Sequence, residues 1–165
     1  MRHQKLRASV LVVLFLMLAG PASATTPGEA ADGLVDGLYV AADAEAVDEA
    51  ALRALILDSR GRDLDLAVVV LGADAGTAVG FADAVADQTG GTVLVFTPTE
   101  YGTSSSTLTQ SRLERILDDV DEELSGPDLV AGVEAFVEAA VPSPSNWGLI
   151  LGVGALVVVV VGDKE

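Results

Sequence analysis

Hydrophobic positions fall into short Val- and Leu-rich runs, separated by stretches whose apolar residues recur every three or four places. The run Leu66-Ala-Val-Val-Val-Leu71 is apolar throughout, lies between Asp65 and Gly72, and has the β-branched content that favours strand over helix. A strand apolar at every position is covered on both faces, as in a parallel sheet between helices. Gly37-Leu-Tyr-Val40 predicts a first strand, and Thr92-Val-Leu-Val-Phe-Thr97, stopped by Pro98, a third. A helix is expected from Asp43, a suitable N-cap, to about Ser59. It places Val47, Ala51 and Leu55 on one stripe, Leu52 and Ile56 beside them, and Gly61 as terminator. Gly72-Ala-Asp74-Ala-Gly76 turns into a second helix from about Thr77 to Gln88, with Phe81, Ala82, Val85 and Ala86 inward and Gly90-Gly91 ending it. Glu100 to Thr107 predicts a loop or a short edge strand. Ser111 with Glu114 fits a capping box for a third helix striped by Leu113, Ile116, Leu117, Val120 and Leu124. A fourth, Asp128 to Ala140, buries Leu129, Val133, Phe136 and Val137.

The order β-α-β-α-β-α-α over residues 37–141 defines an α/β fold, a three-layer sandwich with a mainly parallel central sheet. Right-handed crossovers about a central second strand place the first two helices on one face and leave the last two to cover the other. Residues 25–36, rich in Thr, Ala, Gly and Asp, read as a flexible leader with too little apolar content to pack.

The two ends follow a different pattern. Residues 1–24 have Arg2, Lys5 and Arg7, then an apolar Val10 to Ala19, then Ala22-Ser-Ala24, the form of a signal peptide cleaved before Thr25. Its apolar core spans only about 15 Å as a helix, short for an anchor. Trp147 to Gly162 carries no charge and reaches about 24 Å as a helix. By length it could be a buried core segment. Its place after the Pro142-Ser-Pro-Ser-Asn146 linker, beyond the domain's helices, favours a C-terminal transmembrane helix over residues 147–162. Residues 163–165 then form a cytoplasmic tail, and any message across the membrane is expected to pass through a partner.

All 25 acidic residues lie beyond residue 24, and three of the nine basic ones lie before it, so removing that segment takes the formal charge from −16 to −19. Such a domain is repelled by phosphate backbones and anionic lipid, which argues against nucleic-acid binding and for loose gathering of cations. Cysteine is absent and the one histidine, His3, lies in the signal segment, so a thiol nucleophile, a Ser-His-Asp triad and a His-based metal centre are excluded from the mature chain. Ligand sites in open parallel sheets lie beyond the strands' carboxyl ends, which brings forward Asp43, Asp74 and Glu100 as oxygen ligands for Ca²⁺ or Mg²⁺. Two of them have a plainer role to fill first, Asp43 as a cap and Asp74 as a turn residue. Asp118-Asp-Val-Asp121-Glu-Glu123 is a solvated helix face without EF-hand spacing.

The succession Leu64 to Leu71, Phe81-Ala-Asp-Ala-Val85 and Gly91-Thr-Val-Leu-Val-Phe96 resembles the TPM domain family, extracytoplasmic domains often tethered by a membrane span. The Thr92-to-Pro98 strand, the Tyr-Gly-Thr-Ser stretch and the C-terminal span also resemble actinobacterial single-pass membrane proteins of unknown function. The chain lacks the aromatic-Gly turn and Gly-rich strand usual in TPM proteins, so metal binding or phosphatase activity is not carried over residue by residue. The expectation is a membrane-tethered extracytoplasmic interaction module of the cell envelope, its partners the membrane and an envelope protein. The alternative is a divalent-cation-dependent hydrolase acting through strand-end carboxylates.

Overall fold

The run at the centre of the hydrophobic pattern is a central strand of the sheet. In the computed structural model, which describes residues 24–73 and 75–141, it forms β2 (Leu66–Val70). It pairs in parallel with β1 (Leu38–Val40) and with β3 (Thr92–Phe96). The stretch that could have been loop or strand is β4 (Tyr101–Ser105), antiparallel to β3, which gives a four-stranded sheet of order β1-β2-β3-β4. The predicted signal, linker, span and tail fall outside the described residues, except for Ala24. Among the described residues no helix is long and apolar enough to cross a membrane.

Among the described residues five helices flank the sheet: α1 (Pro27–Gly33), α2 (Glu49–Gly61), α3 (Ala78–Thr89), α4 (Gln110–Leu124) and α5 (Leu129–Ala140). Of these, α1 was not anticipated. Thr26 and Glu29 form a reciprocal capping box and Pro27 opens the first turn, so a segment with few large apolar side chains still folds. Its fully buried Ala30 lets the helix seat closely on α3. Two caps also differ from expectation. Asp48, not Asp43, caps α2 by accepting from Ala51 N at 3.0 Å. The α4 helix starts one residue before Ser111, with Thr109 as an N-cap whose side chain makes no cap bond, so the Ser111/Glu114 box does not form.

Alternation along the strands sends Leu66, Val68 and Val70 to one face and Val69 and Leu71 to the other. The first face is covered by α2, α4 and α5, through Leu52, Ile56, Ile116, Val120, Val133 and Phe136. The second is covered by α1 and α3, through Ala30, Phe81, Ala82 and Val85. The expected distribution, α2 with α3 on one face, is therefore incorrect: three helices fill the first face, and α1 supplies the cover that α3 alone would lack. With strand order β1-β2-β3 and α2 and α3 on opposite faces, the two crossovers have opposite hands. One of them is left-handed, against the usual strong right-handed preference.

Candidate functional site

Ligands of parallel sheets collect where neighbouring strand-end loops leave for opposite faces. The opposed crossovers create such a point between β1 and β2, since residues 41–48 lead to α2 on one face and residues 71–77 to α3 on the other. Asp43 sits there. Freed from capping, its carboxylate lies in the space that a Cβ on Gly72 would fill, so the two chain segments meet closely across the crevice because residue 72 has no side chain. Asp74 lies outside the described residues.

Glu100 is held in the tight turn joining β3 to β4. Its N–H donates to Thr97 Oγ1 at 3.1 Å, and its carbonyl accepts from Thr97 N at 2.9 Å. The carboxylate reaches back to accept from Ala78 N at 2.7 Å. It thereby caps α3, whose own N-cap, Thr77, makes no side-chain bond. Gly102 makes this approach feasible: a Cβ there would overlap the backbone of Ala78 and Val79. Among the described residues no group of three or more metal-ligating His, Cys, Asp or Glu is gathered.

On the α2–α5 face the same strand ends open into a cavity of about 600 Å³. Val70, Leu71 and Phe96 line it at the strand ends, and its rim carries the carboxylates of Glu45, Asp48, Glu100 and Asp128 with no basic side chain among the described lining residues. Three of those carboxylates are helix caps: Asp48 for α2, Glu100 for α3 and Asp128, which accepts from Ala131 N at 3.1 Å, for α5. Each retains acceptor capacity beyond its cap bond, since an ionised carboxylate has about four lone-pair sites. Tyr101 stands at the rim and donates its phenol to Asp121 Oδ1 at 2.5 Å. Burial first, then the bond to Asp121 and the charges of Asp121 and Asp118, push its pKa up to about 12. Such a site takes groups that donate hydrogen bonds or carry positive charge.

Asp48 and Asp128 were missed as rim residues, although each precedes a helical run that could have revealed it as a cap. In the Ser/Thr-rich stretch 103–107, Ser105 and Thr107 bond within the stretch and to Thr92, whereas Thr103 Oγ1 is buried without a partner among the described residues. Thr92 Oγ1 meets Ser105 Oγ at 2.8 Å, and Ser105 Oγ accepts from Leu108 N at 2.9 Å.

Fold and rim together define a small three-layer α/β domain with an acidic strand-end cleft. The family described as "Membrane protein Rv1476" matches residues 28–163, so the chain belongs to the Rv1476 family of membrane proteins. No curated protein matches it. The fold is similar to the solution structure of the N-terminal domain of cg2496 protein from Corynebacterium glutamicum, with a TM-score of 0.51 at 18% identity. That likeness covers 64% of this chain and 77% of the other.

Proposed function

We propose that the chain is a membrane-tethered interaction module of the cell envelope. In this reading the α/β domain stands on the extracytoplasmic side and residues 147–162 hold it to the membrane. The observation that carries it is the extent of the family match: a membrane-protein family model runs from α1 through the uncharged 147–162 stretch, joining domain and tail in one unit. The acidic cleft at the strand ends is then the surface offered to a cationic partner. The test is fractionation of cells producing the full chain, followed by alkaline extraction and protease treatment of intact spheroplasts. Retention in the membrane pellet with digestion of the domain from outside is expected. A chain recovered in the soluble fraction, or a domain shielded in intact spheroplasts and digested only after lysis, refutes the proposal.

A second reading, a divalent-cation-dependent hydrolase, draws on Asp43. Its carboxylate lies against Gly72, at the head of the loop that carries Asp74, where oxygen ligands suit Ca²⁺ or Mg²⁺. Calorimetric titration of each cation into the full chain tests it. Heat that vanishes on changing Asp43 and Asp74 to Asn supports this reading, and no heat in the parent chain ends it.

A further inference from the structure

Among the described residues the sheet ends in a strand with nothing paired to its outer edge. Thr97 N bonds Glu100 O and Ser106 N bonds Gly91 O at the two ends of the β3–β4 ladder. In an antiparallel ladder bonded and non-bonded pairs alternate, so the bonded pairs between them are Val95 with Gly102 and Val93 with Ser104. Tyr101, Thr103 and Ser105 therefore aim their N–H and C=O groups away from β3. None of these groups has a hydrogen-bond partner among the described residues. A groove of about 490 Å³ runs along this edge, walled by Val79 and Asp83 of α3 and by Gln110, Leu113 and Leu117 of α4. Because α3 and α4 lie on opposite faces, a groove touching both wraps the edge itself. Val79 is 55% exposed there.

We infer that this edge binds an extended, lysine- or arginine-bearing segment of another protein, which adds as a fifth strand beside β4. Strand addition satisfies the free main-chain groups and sends alternate side chains toward the α3 wall and the α4 wall. Charge selects the occupant. Asp83 and Asp87 are four residues apart on α3, and exposed Glu114, Asp118 and Asp121 follow the same side of α4 as Gln110 and Leu117. Arg112 is drawn away to the Ala140 carbonyl at 2.7 Å, and Arg115 lies roughly 160° round the helix from Leu117. A second copy is disfavoured, because pairing β4 with β4 would set these carboxylates against their own images. The inference adds a partner surface to the module proposed above but does not depend on the tether, so the two fail separately.

The test uses the full chain in detergent, with hydrogen exchange read residue by residue and the probe acetyl-Lys-Val-Lys-Thr-Lys-Val-Lys-amide. Without peptide, the amides of Tyr101, Thr103 and Ser105 exchange fast while those of Gly102 and Ser104 are protected. With peptide, all five are protected. Thr103→Pro removes one outward N–H and no ladder bond, a place where edge strands tolerate proline. It also removes Thr103 Oγ1, which is buried without a partner among the described residues. Binding is expected to weaken at least tenfold with the unfolding midpoint little changed. N-methylating alternate residues of the probe must give the same loss, which keeps the test valid if the variant misfolds. The inference is overturned by peptide binding that leaves the three amides fast, by equal affinity for the analogue with Glu in place of Lys, by no binding of the basic probe, or by a dimer that protects these amides without peptide.

Discussion

Replacing Glu100 separates a structural carboxylate from a ligand-binding one. Its bond to Ala78 N at 2.7 Å is the side-chain cap of α3, supplied from 22 residues further along the chain. Glu100→Ala removes a charge-assisted bond and leaves a first-turn N–H to water. Caps of this kind contribute about 0.5–2 kcal/mol, and bonds to charged groups about 1.5–3 kcal/mol when shielded. Because Glu100 is exposed, the expected loss is about 1–2 kcal/mol. Glu100→Gln keeps an acceptor and forfeits only the charge at the helix N-terminus, about 0.3–1 kcal/mol. Urea unfolding of the full chain followed by circular dichroism reads both. With a slope of about 2 kcal/mol per molar, the alanine variant's midpoint falls by roughly 0.5–1 M and the glutamine variant's by about half as much or less. Equal losses in the two variants, or an alanine variant within about 0.3 kcal/mol of the parent, would refute the capping role. A loss that appears only with Ca²⁺ or Mg²⁺ present would move Glu100 to the cation reading.

Other outcomes follow from the same geometry. Gly102→Ala drives a methyl group into the Ala78–Val79 backbone, which has no side-chain freedom to yield, and costs about 1–3 kcal/mol in the same unfolding assay. Phe136→Ala empties a fully buried site between α5 and the sheet and costs about 3–5 kcal/mol, with the urea slope unchanged. Alkaline spectrophotometric titration places the Tyr101 ionisation near 12, and Asp121→Asn lowers it. A folded-state pKa raised above the usual value of about 10 means that Tyr101 stabilises the fold fully below that pH and loses this contribution between about 10 and 12. Tyr101→Phe is flat across that window, and a parent chain equally flat there contradicts the shift.

Much of the layer order was legible because the strand runs are apolar throughout and the α4 and α5 stripes keep a helical period. The α1 helix was not, since a capping box with a few alanines carries no hydrophobic stripe; its stability comes from the seat on α3 that only the fold provides. Asp43 was an attractive cap because it stands just after the first strand. The rival Asp48 won because Ala51 N lies at the right reach for a side chain one residue before the helix. Nor could the Glu100 cap be read, since it joins residues far apart in sequence through a close approach at Gly102. The left-handed crossover is invisible for the same kind of reason. Local patterns specify which face of a helix is apolar, whereas the side of the sheet it covers depends on which other helices compete for that face.

That crossover bears directly on Asp43. By splitting the β1 and β2 loops to opposite faces it opens a crevice between their carboxyl ends, and Asp43 fills this crevice against Gly72. If the carboxylate is a wedge packed into the space that residue 72 leaves free, Gly72→Ala must expel it, because a Cβ would occupy the same space. Asp43 is short and lies in a loop, so it can rotate outward, and the expected loss is about 1 kcal/mol, at the low end for overpacking. Asp43→Ala frees the same volume, so the double variant should be more stable than the sum of the single losses predicts, with a coupling of about 0.5–1 kcal/mol. Additive losses in urea unfolding would mean that the two segments do not meet. The same pair tests the cation reading, since a bound ion would make Asp43→Ala abolish Ca²⁺ or Mg²⁺ stabilisation, whereas a simple wedge leaves the unfolding midpoint indifferent to either ion.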